Sequence, residues 1–389
     1  HEMIRISQDS FSSAQDDLDY FLNNHLAHYD ARRNYDFGAL DRSNVSGLSK
    51  YISHRVLCEY DVVQQTLKRA PLEEVEKFVQ EVFWRIYWKG WLEHRPSVWH
   101  DFVRFDTACL AQKHYRNAIE GRTGIACFDA WVAELQETNY LHNHARMWFA
   151  SIWIFTLGLP WQAGARFFQE HLLDGDAASN TLGWRWVAGI QTKGKHYLAR
   201  SNNIEKFTKG RFGAEILNEQ AEPIEEHIMH EMIPFDYTTI GGKVFNTLII
   251  YDTDLHLPHE TGSYTDYETV FILCLDNERR QLGVCHNVLT FKKGLVVDFQ
   301  ARCAGSEVIS SDDFEKFASQ NDGFDVIYPS IGDNLDYLKR VQNNHNISVH
   351  YRKKQQDLFC WQFAQKGFFN FKRNIPHIIE RFKLSDCAT

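Results

Sequence analysis

Residues 141–186 bring together side chains that could hold and use a redox-active ring: Asn143, Arg146, Asp174-Gly175-Asp176, Asn180, Trp184 and Trp186. Arg146 and Asp174 can share a buried site, because a charge taken out of water is tolerated when it is paired and hydrogen-bonded. Asp176 can accept a hydrogen bond from a heterocycle N–H or a ribose hydroxyl. Asn143 and Asn180 each offer a donor and an acceptor, which suits a ring edge whose protonation changes on reduction. Without further context, a structural ion pair is the simpler reading of Arg146 and Asp174.

A second group lies on one predicted helix. Phe78, Glu81, Arg85 and Trp88 fall at steps of three and four, so one face mixes large rings, a carboxylate and a guanidinium, with Trp84 and Trp91 alongside. Rings beside cations suit stacking on an unpaired base. Core packing accounts for most of the tryptophans individually.

The elements that must position these groups separate into two regions. Every tryptophan except Trp361 precedes residue 190. The windows 72–93 and 128–157 carry apolar residues at helical spacing, and Asp16-Asp17 and Pro71 read as helix starts. Residues 3–212 are therefore predicted to form a helical domain. Residues 213–235 are acidic, with prolines, and read as a linker, partly helical at most. In 236–389 the runs 244–251, 269–275, 295–299, 324–328 and 347–351 are short and rich in apolar and β-branched residues, with helix-like stretches at 312–319 and 334–342. That alternation predicts an α/β domain with a parallel sheet and helices on both faces.

At 389 residues the chain can hold two cores, and its apolar and charged fractions of 44% and 24% are those of a globular protein. It lacks an apolar run long enough for a membrane span, so a cytoplasmic protein is expected; a monomer is expected as well. Eight scattered cysteines without a Cys-x-x-Cys pair predict reduced thiols. His142-x-His144 and His227-x-x-His230-Glu231 would bind metal only if other ligands converged, so none is expected. A net charge of −9 gives no global attraction to nucleic acid. Arg185, Lys193, Lys195, Arg200, Lys206, Lys209 and Arg211 nonetheless stand against the single acid Glu205 over residues 185–211. This run is either a solvated face or a surface for a phosphate backbone. The second half has no glycine-rich nucleotide-binding motif.

Six motifs follow one another in the helical half: Tyr29-Asp30-Ala31-Arg32-Arg33-Asn34-Tyr35, Ser46-Gly47-Leu48-Ser49, Phe78-x-x-Glu81-x-x-Trp84-Arg85, Gly121-Arg122-Thr123-Gly124, His142-Asn143-x-x-Arg146-Met147, and Asp174-Gly175-Asp176-x-x-x-Asn180-x-x-x-Trp184-x-Trp186. On these motifs the first domain resembles the FAD-binding helical domain of the photolyase and cryptochrome family. The resemblance implies bent FAD, with Tyr29, Ser46, Leu48 and Ser49 around its phosphates and Arg85 as a further contact. Asn143 would face the flavin and adenine region, Arg146 and Asp174 the isoalloxazine, Asp176 its polar edge, and Asn180 its redox-active nitrogen. Glu81, Trp84, Met147 and Trp186 match the pocket that receives a flipped pyrimidine dimer, with Arg185, Lys193, Lys195 and Arg200 as candidates for the DNA backbone.

What the resemblance implies is a light-driven lyase acting on UV-damaged DNA. An electron would pass from excited reduced flavin to a cyclobutane pyrimidine dimer and return after ring opening, with the damaged bases taken out of the stack. Asn143 and Met147 stand where relatives that repair the (6-4) photoproduct carry histidines, which favours the cyclobutane lesion. The alternative is a cryptochrome-like photoreceptor signalling to a partner. Three features depart from the family pattern. Val45 and Gly47 replace the usual threonine and arginine of the phosphate loop. Trp184 and Trp161 match the first two members of the electron-relay triad, but the third falls on Ala118, with Tyr115 as a nearby substitute. Residues 247–257 resemble the opening strand of the family's α/β domain, which usually comes first, so the order here is that of a circular permutation. In the family that domain can hold a second, antenna chromophore, which the resemblance leaves open here, identity included.

Overall fold

The computed structural model describes residues 8–238, 241–257 and 264–385. Through residue 212 the regular structure is helical, and four helices carry the candidate site: α1 (Leu72–His94), α2 (Asn143–Ser151), α3 (Trp161–His171) and α4 (Ala177–Ala188). α1 begins where predicted, after Pro71, with Glu73 and Glu74 in its first turn, where carboxylates meet the positive end of the helix dipole. The helix expected to start at Asp16-Asp17 instead spans Phe11–Asn24. The Ser10 hydroxyl accepts the Ser13 N–H and caps it earlier.

The window 128–157 is not one helix. The segment Ala126–Thr138 ends at Asn139, which turns left-handed at φ 57°, and α2 starts after His142. The Asn139 side chain donates to the His171 carbonyl at 2.9 Å, and its own carbonyl accepts the Leu173 N–H at 3.0 Å. The break therefore ties the approach to α2 to the chain just before Asp174.

The second half holds β1 (Thr247–Tyr251), β2 (Thr269–Leu273), α5 (His286–Arg302), β3 (Ser306–Val308), β4 (Gly323–Ile327) and β5 (Ser348–Arg352). The strands form one parallel sheet in the order β3-β2-β1-β4-β5. Successive residues point to opposite faces. Leu248, Ile250, Val270 and Ile272 accordingly join α5 and the large helical core, while Ile249, Tyr251, Leu273 and Val326 join Phe314, Leu338 and Val341. The predicted architecture, a helical domain followed by a parallel α/β domain, is the one observed.

One expected strand is helix instead. Residues 295–299 lie inside α5, where Val288, Phe291, Leu295 and Phe299 are buried at helical steps. The short apolar run is one stripe of a longer helix. The true third strand, β3, is three residues long and mostly exposed, too brief to leave a periodic signal.

Residues 213–238 carry neither helix nor strand and lie along the helical half, with the Ile224 N–H on the Ala188 carbonyl at 2.9 Å and the Ile233 N–H on the His94 carbonyl at 2.8 Å. After β5 the chain returns to α1 through α6 (Gln355–Trp361) and α7 (Phe368–Arg381). Asp357 takes both ends of the Arg55 guanidinium at 2.7 and 2.9 Å. Trp361 lies so close to α1 that a Cβ on Gly90 would stand 2.6 Å from its ring. Among the described residues no helix is long and apolar enough to cross a membrane, and no cluster of His, Cys, Asp or Glu could hold a metal. The seven described cysteines are unbridged, and Cys387 lies outside the described residues.

Candidate functional site

Four segments distant in sequence meet at Asp174. Arg146 donates from Nη1 and Nη2 to its two carboxylate oxygens at 3.0 and 2.7 Å, and from Nε to the Leu141 carbonyl at 2.8 Å. The Ser49 hydroxyl donates to the same carboxylate, and Arg85 on α1 reaches the Ser49 carbonyl at 3.3 Å. Burial alone would push the Asp174 carboxyl up. Arg146, with its hydrogen bonds, the Ser49 hydroxyl and Arg85 instead hold it below the usual carboxylate range, so Asp174 stays ionised opposite Arg146.

α4 presents the next group. Asp176 caps the helix, accepting the Ser179 N–H at 2.9 Å. Its burial is outweighed by Lys89, Arg85 and the Ser179 bond, and its carboxyl too lies low. Asn180 donates to the Ala165 carbonyl at 2.8 Å, which leaves its amide oxygen unpaired among the described residues. Asp176, Asn180 and Gly183 recur at steps of four and three and so line one stripe of α4. A Cβ built on Gly183 would meet nothing within 4 Å. Buried Trp184 faces the other way, onto Phe168 at 5.0 Å between ring centres. A guanidinium–carboxylate pair, a second ionised acceptor, a spare amide oxygen and free space at Gly183 fit a planar heterocycle with a polar edge.

The remaining expected cofactor contacts differ in their surroundings. Ser46 accepts the Leu48 N–H at 3.3 Å across Gly47, whose φ of 66° favours glycine. Leu48 is fully buried. Tyr29 packs edge-on to Phe78 at 5.3 Å, and burial with nearby Glu81 pushes its phenol well up. Asn143 is exposed at the start of α2 and makes no side-chain hydrogen bond among the described residues.

The residues expected to meet a lesion are partly covered. Glu81 lies 3.8 Å from Arg33, and burial raises its carboxyl while Arg33 opposes. Met147 is half-buried, and Trp186 stacks on Tyr197 at 5.8 Å. Trp84 has Phe368, the first residue of α7, stacked on its indole at 3.7 Å and 14°. Sequence reasoning missed Phe368. The run Phe368-Phe369-x-Phe371 is visible in the chain, but nothing local says that it returns to α1.

Arg185, expected at a DNA backbone, is not free to meet one. It is 4% exposed, and its guanidinium is held by both oxygens of Glu226 and by Gln191, because it projects from α4 under residues 213–238. Lys193, Lys195 and Arg200 are exposed. Trp161 stacks on Phe102 at 5.6 Å and makes no ring contact with Trp184 among the described residues. Ala118 is fully buried.

Residues 78–228 match the family profile described as the FAD binding domain of DNA photolyase. Over these residues the chain is similar to the FAD-binding domain of that family. A deoxyribodipyrimidine photo-lyase of Neurospora crassa is 34% identical over 143 residues, 35% of this chain and 23% of that protein. One from Vibrio cholerae is 27% identical over 218 residues, 51% of this chain and 44% of that protein. The crystal structure of a class III photolyase from Agrobacterium tumefaciens overlaps 52% of this chain and 44% of its own, at 25% identity and a TM-score of 0.45. The chain thus matches less than half the length of these relatives. The matched stretch contains Asp174, Asp176, Asn180 and Arg146, whereas Tyr29, Ser46, Leu48 and Ser49 precede it.

Proposed function

We propose that the chain binds FAD along α4 and is a light-driven lyase that splits cyclobutane pyrimidine dimers in DNA. The observation that carries this reading is the Arg146–Asp174–Ser49 network together with Asp176 and Asn180 on α4 and the free space at Gly183. Arg146 and Asp174 would fix the ring system, Asp176 would accept from its polar edge, and the Asn180 amide would stand at its redox-active nitrogen. Ser46, Leu48, Ser49 and Tyr29 would hold the phosphates, with Arg85 as a further flavin contact and Asn143 facing the flavin and adenine region. FAD, once reduced and excited, would supply the electron that opens the dimer.

Glu81, Trp84, Met147 and Trp186 would receive the extruded bases, which pay least for leaving the stack where pairing is already damaged. Lys193, Lys195 and Arg200 would track the backbone. We read the α/β half behind the helical half as a circular permutation, and an antenna chromophore would belong to that half.

The test is blue-light incubation of the reduced protein with a dimer-containing oligonucleotide, read as loss of dimers, together with the absorption spectrum of the purified protein. Flavin bands with light-dependent repair support the reading, and flavin without repair refutes the lyase. The photoreceptor reading is favoured by one observation, Phe368 on the face of Trp84 where a base would stack. It predicts equal affinity for damaged and intact DNA and a light-dependent change of association state.

A further inference from the structure

The buried side of α4 leads to the surface by a route other than Trp161. The Trp184 ring meets Trp153 at 6.1 Å and 83°, and Trp153 meets Tyr115 at 5.9 Å and 85°. Both are edge-to-face contacts within the usual range for aromatic neighbours. Trp153 is fully buried and Tyr115 is 9% exposed. Gly164 on α3 stands where the two indoles converge, since a Cβ there would lie 2.3 Å from the Trp184 ring and 3.0 Å from Trp153 Nε1. Only glycine lets α3 close over that junction. Trp153 is fixed by donating from Nε1 to the Pro160 carbonyl at 2.8 Å, whereas Trp184 Nε1 is buried without a partner.

We infer that Trp184, Trp153 and Tyr115 form an electron path from the flavin site to solvent, replacing the route through Trp161 that ends at Ala118. The inference rests on flavin binding as proposed above. Transfer between aromatic rings weakens steeply with separation, so the contiguous chain of rings outcompetes a route with a gap. Light-excited oxidised flavin is the oxidant. Trp184 loses one electron to it, Trp153 refills Trp184, and Tyr115 refills Trp153. The oxidised phenol releases its proton to water, and the tyrosyl radical is returned to phenol by an electron and a proton from an added thiol.

The experiment uses the full-length flavin-loaded protein and the variants Tyr115→Phe, Trp153→Phe and Trp161→Phe. Three quantities are measured: flavin content by absorbance, the light-induced radical by electron paramagnetic resonance, and the rate of flavin reduction with thiol present. Tyr115→Phe removes only a hydroxyl near the surface, so it keeps the fold informative should Trp153→Phe fold poorly. The expected result is a tyrosyl signal in the wild type that is lost in Tyr115→Phe with flavin content unchanged, together with slowed reduction in Trp153→Phe. A tyrosyl signal that persists in Tyr115→Phe, or that is lost in Trp161→Phe but not in Trp153→Phe, overturns the path. Flavin bound normally with the path absent refutes this inference alone, whereas a chain that takes up no flavin refutes both it and the proposed function.

Discussion

Glu93 makes the stability of the junction between the two halves depend on pH. It sits on α1, 4% exposed, and accepts the Tyr328 hydroxyl at 2.7 Å and the Ile331 N–H at 3.1 Å from the chain after β4. Burial outweighs these bonds and pushes its pKa from 4.5 to about 7. The folded state therefore keeps a proton that the unfolded chain releases. The contribution to stability is complete below the unfolded value of 4.5 and is lost as pH rises through about 7. A shift of this size corresponds to about 3 kcal/mol. Glu93→Gln keeps the shape but cannot ionise, so urea unfolding at pH 5 and pH 8 should show the wild type losing up to about 3 kcal/mol more than the variant over that interval. His54 works in the opposite sense. Burial and Lys292 lower its pKa from 6.5 to about 3, so its contribution is present above 6.5 and lost as pH falls toward 3. It is common to both proteins and cancels in the comparison. Equal pH slopes for wild type and Glu93→Gln would refute the argument.

Three other perturbations separate the roles assigned above. Asp174→Asn leaves Arg146 without its counter-charge and should cost about 3–5 kcal/mol on denaturation, with flavin absent from the purified protein; normal flavin content would contradict the site. Phe368→Ala uncovers Trp84, forfeiting an aromatic pair worth about 0.5–1.5 kcal/mol but freeing a face on which a base could gain about 1–3 kcal/mol. Affinity for dimer-containing DNA should rise, and an unchanged or weaker affinity would mean that the stack is structural only. Replacing Lys193, Lys195 and Arg200 by glutamine should reduce the slope of log affinity against log salt by about 0.9 for each duplex phosphate no longer neutralised. Salt titrations of DNA binding would read it, and an unchanged slope would remove these residues from the interface.

Much of the site was legible because it depends on local spacing. The helix carrying Glu81 and Arg85 follows from the 3.6-residue period and its start from the acids after Pro71, whereas Asp174, Asp176 and Asn180 stood out by their chemistry and their order in the motif. The change to strand patterning after residue 243 likewise announced a parallel sheet, since strands covered on both faces must be continuously apolar. Local rules failed where length or distance took over. Residues 295–299 look like a strand in isolation and become helix because α5 extends their stripe. β3 exists only because its backbone pairs with β2.

The sequence by itself supplied the candidate residues for a heterocycle site and their order along the chain. Tertiary structure alone decided which of them remain open to solvent, because that depends on segments far away in the chain. Glu226 neutralises and covers Arg185, α7 returns to lay Phe368 on Trp84, and Gly164 lets α3 close where Trp184 turns toward Trp153. Each outcome is a contact between surfaces brought together by packing, and no local periodicity encodes the partner.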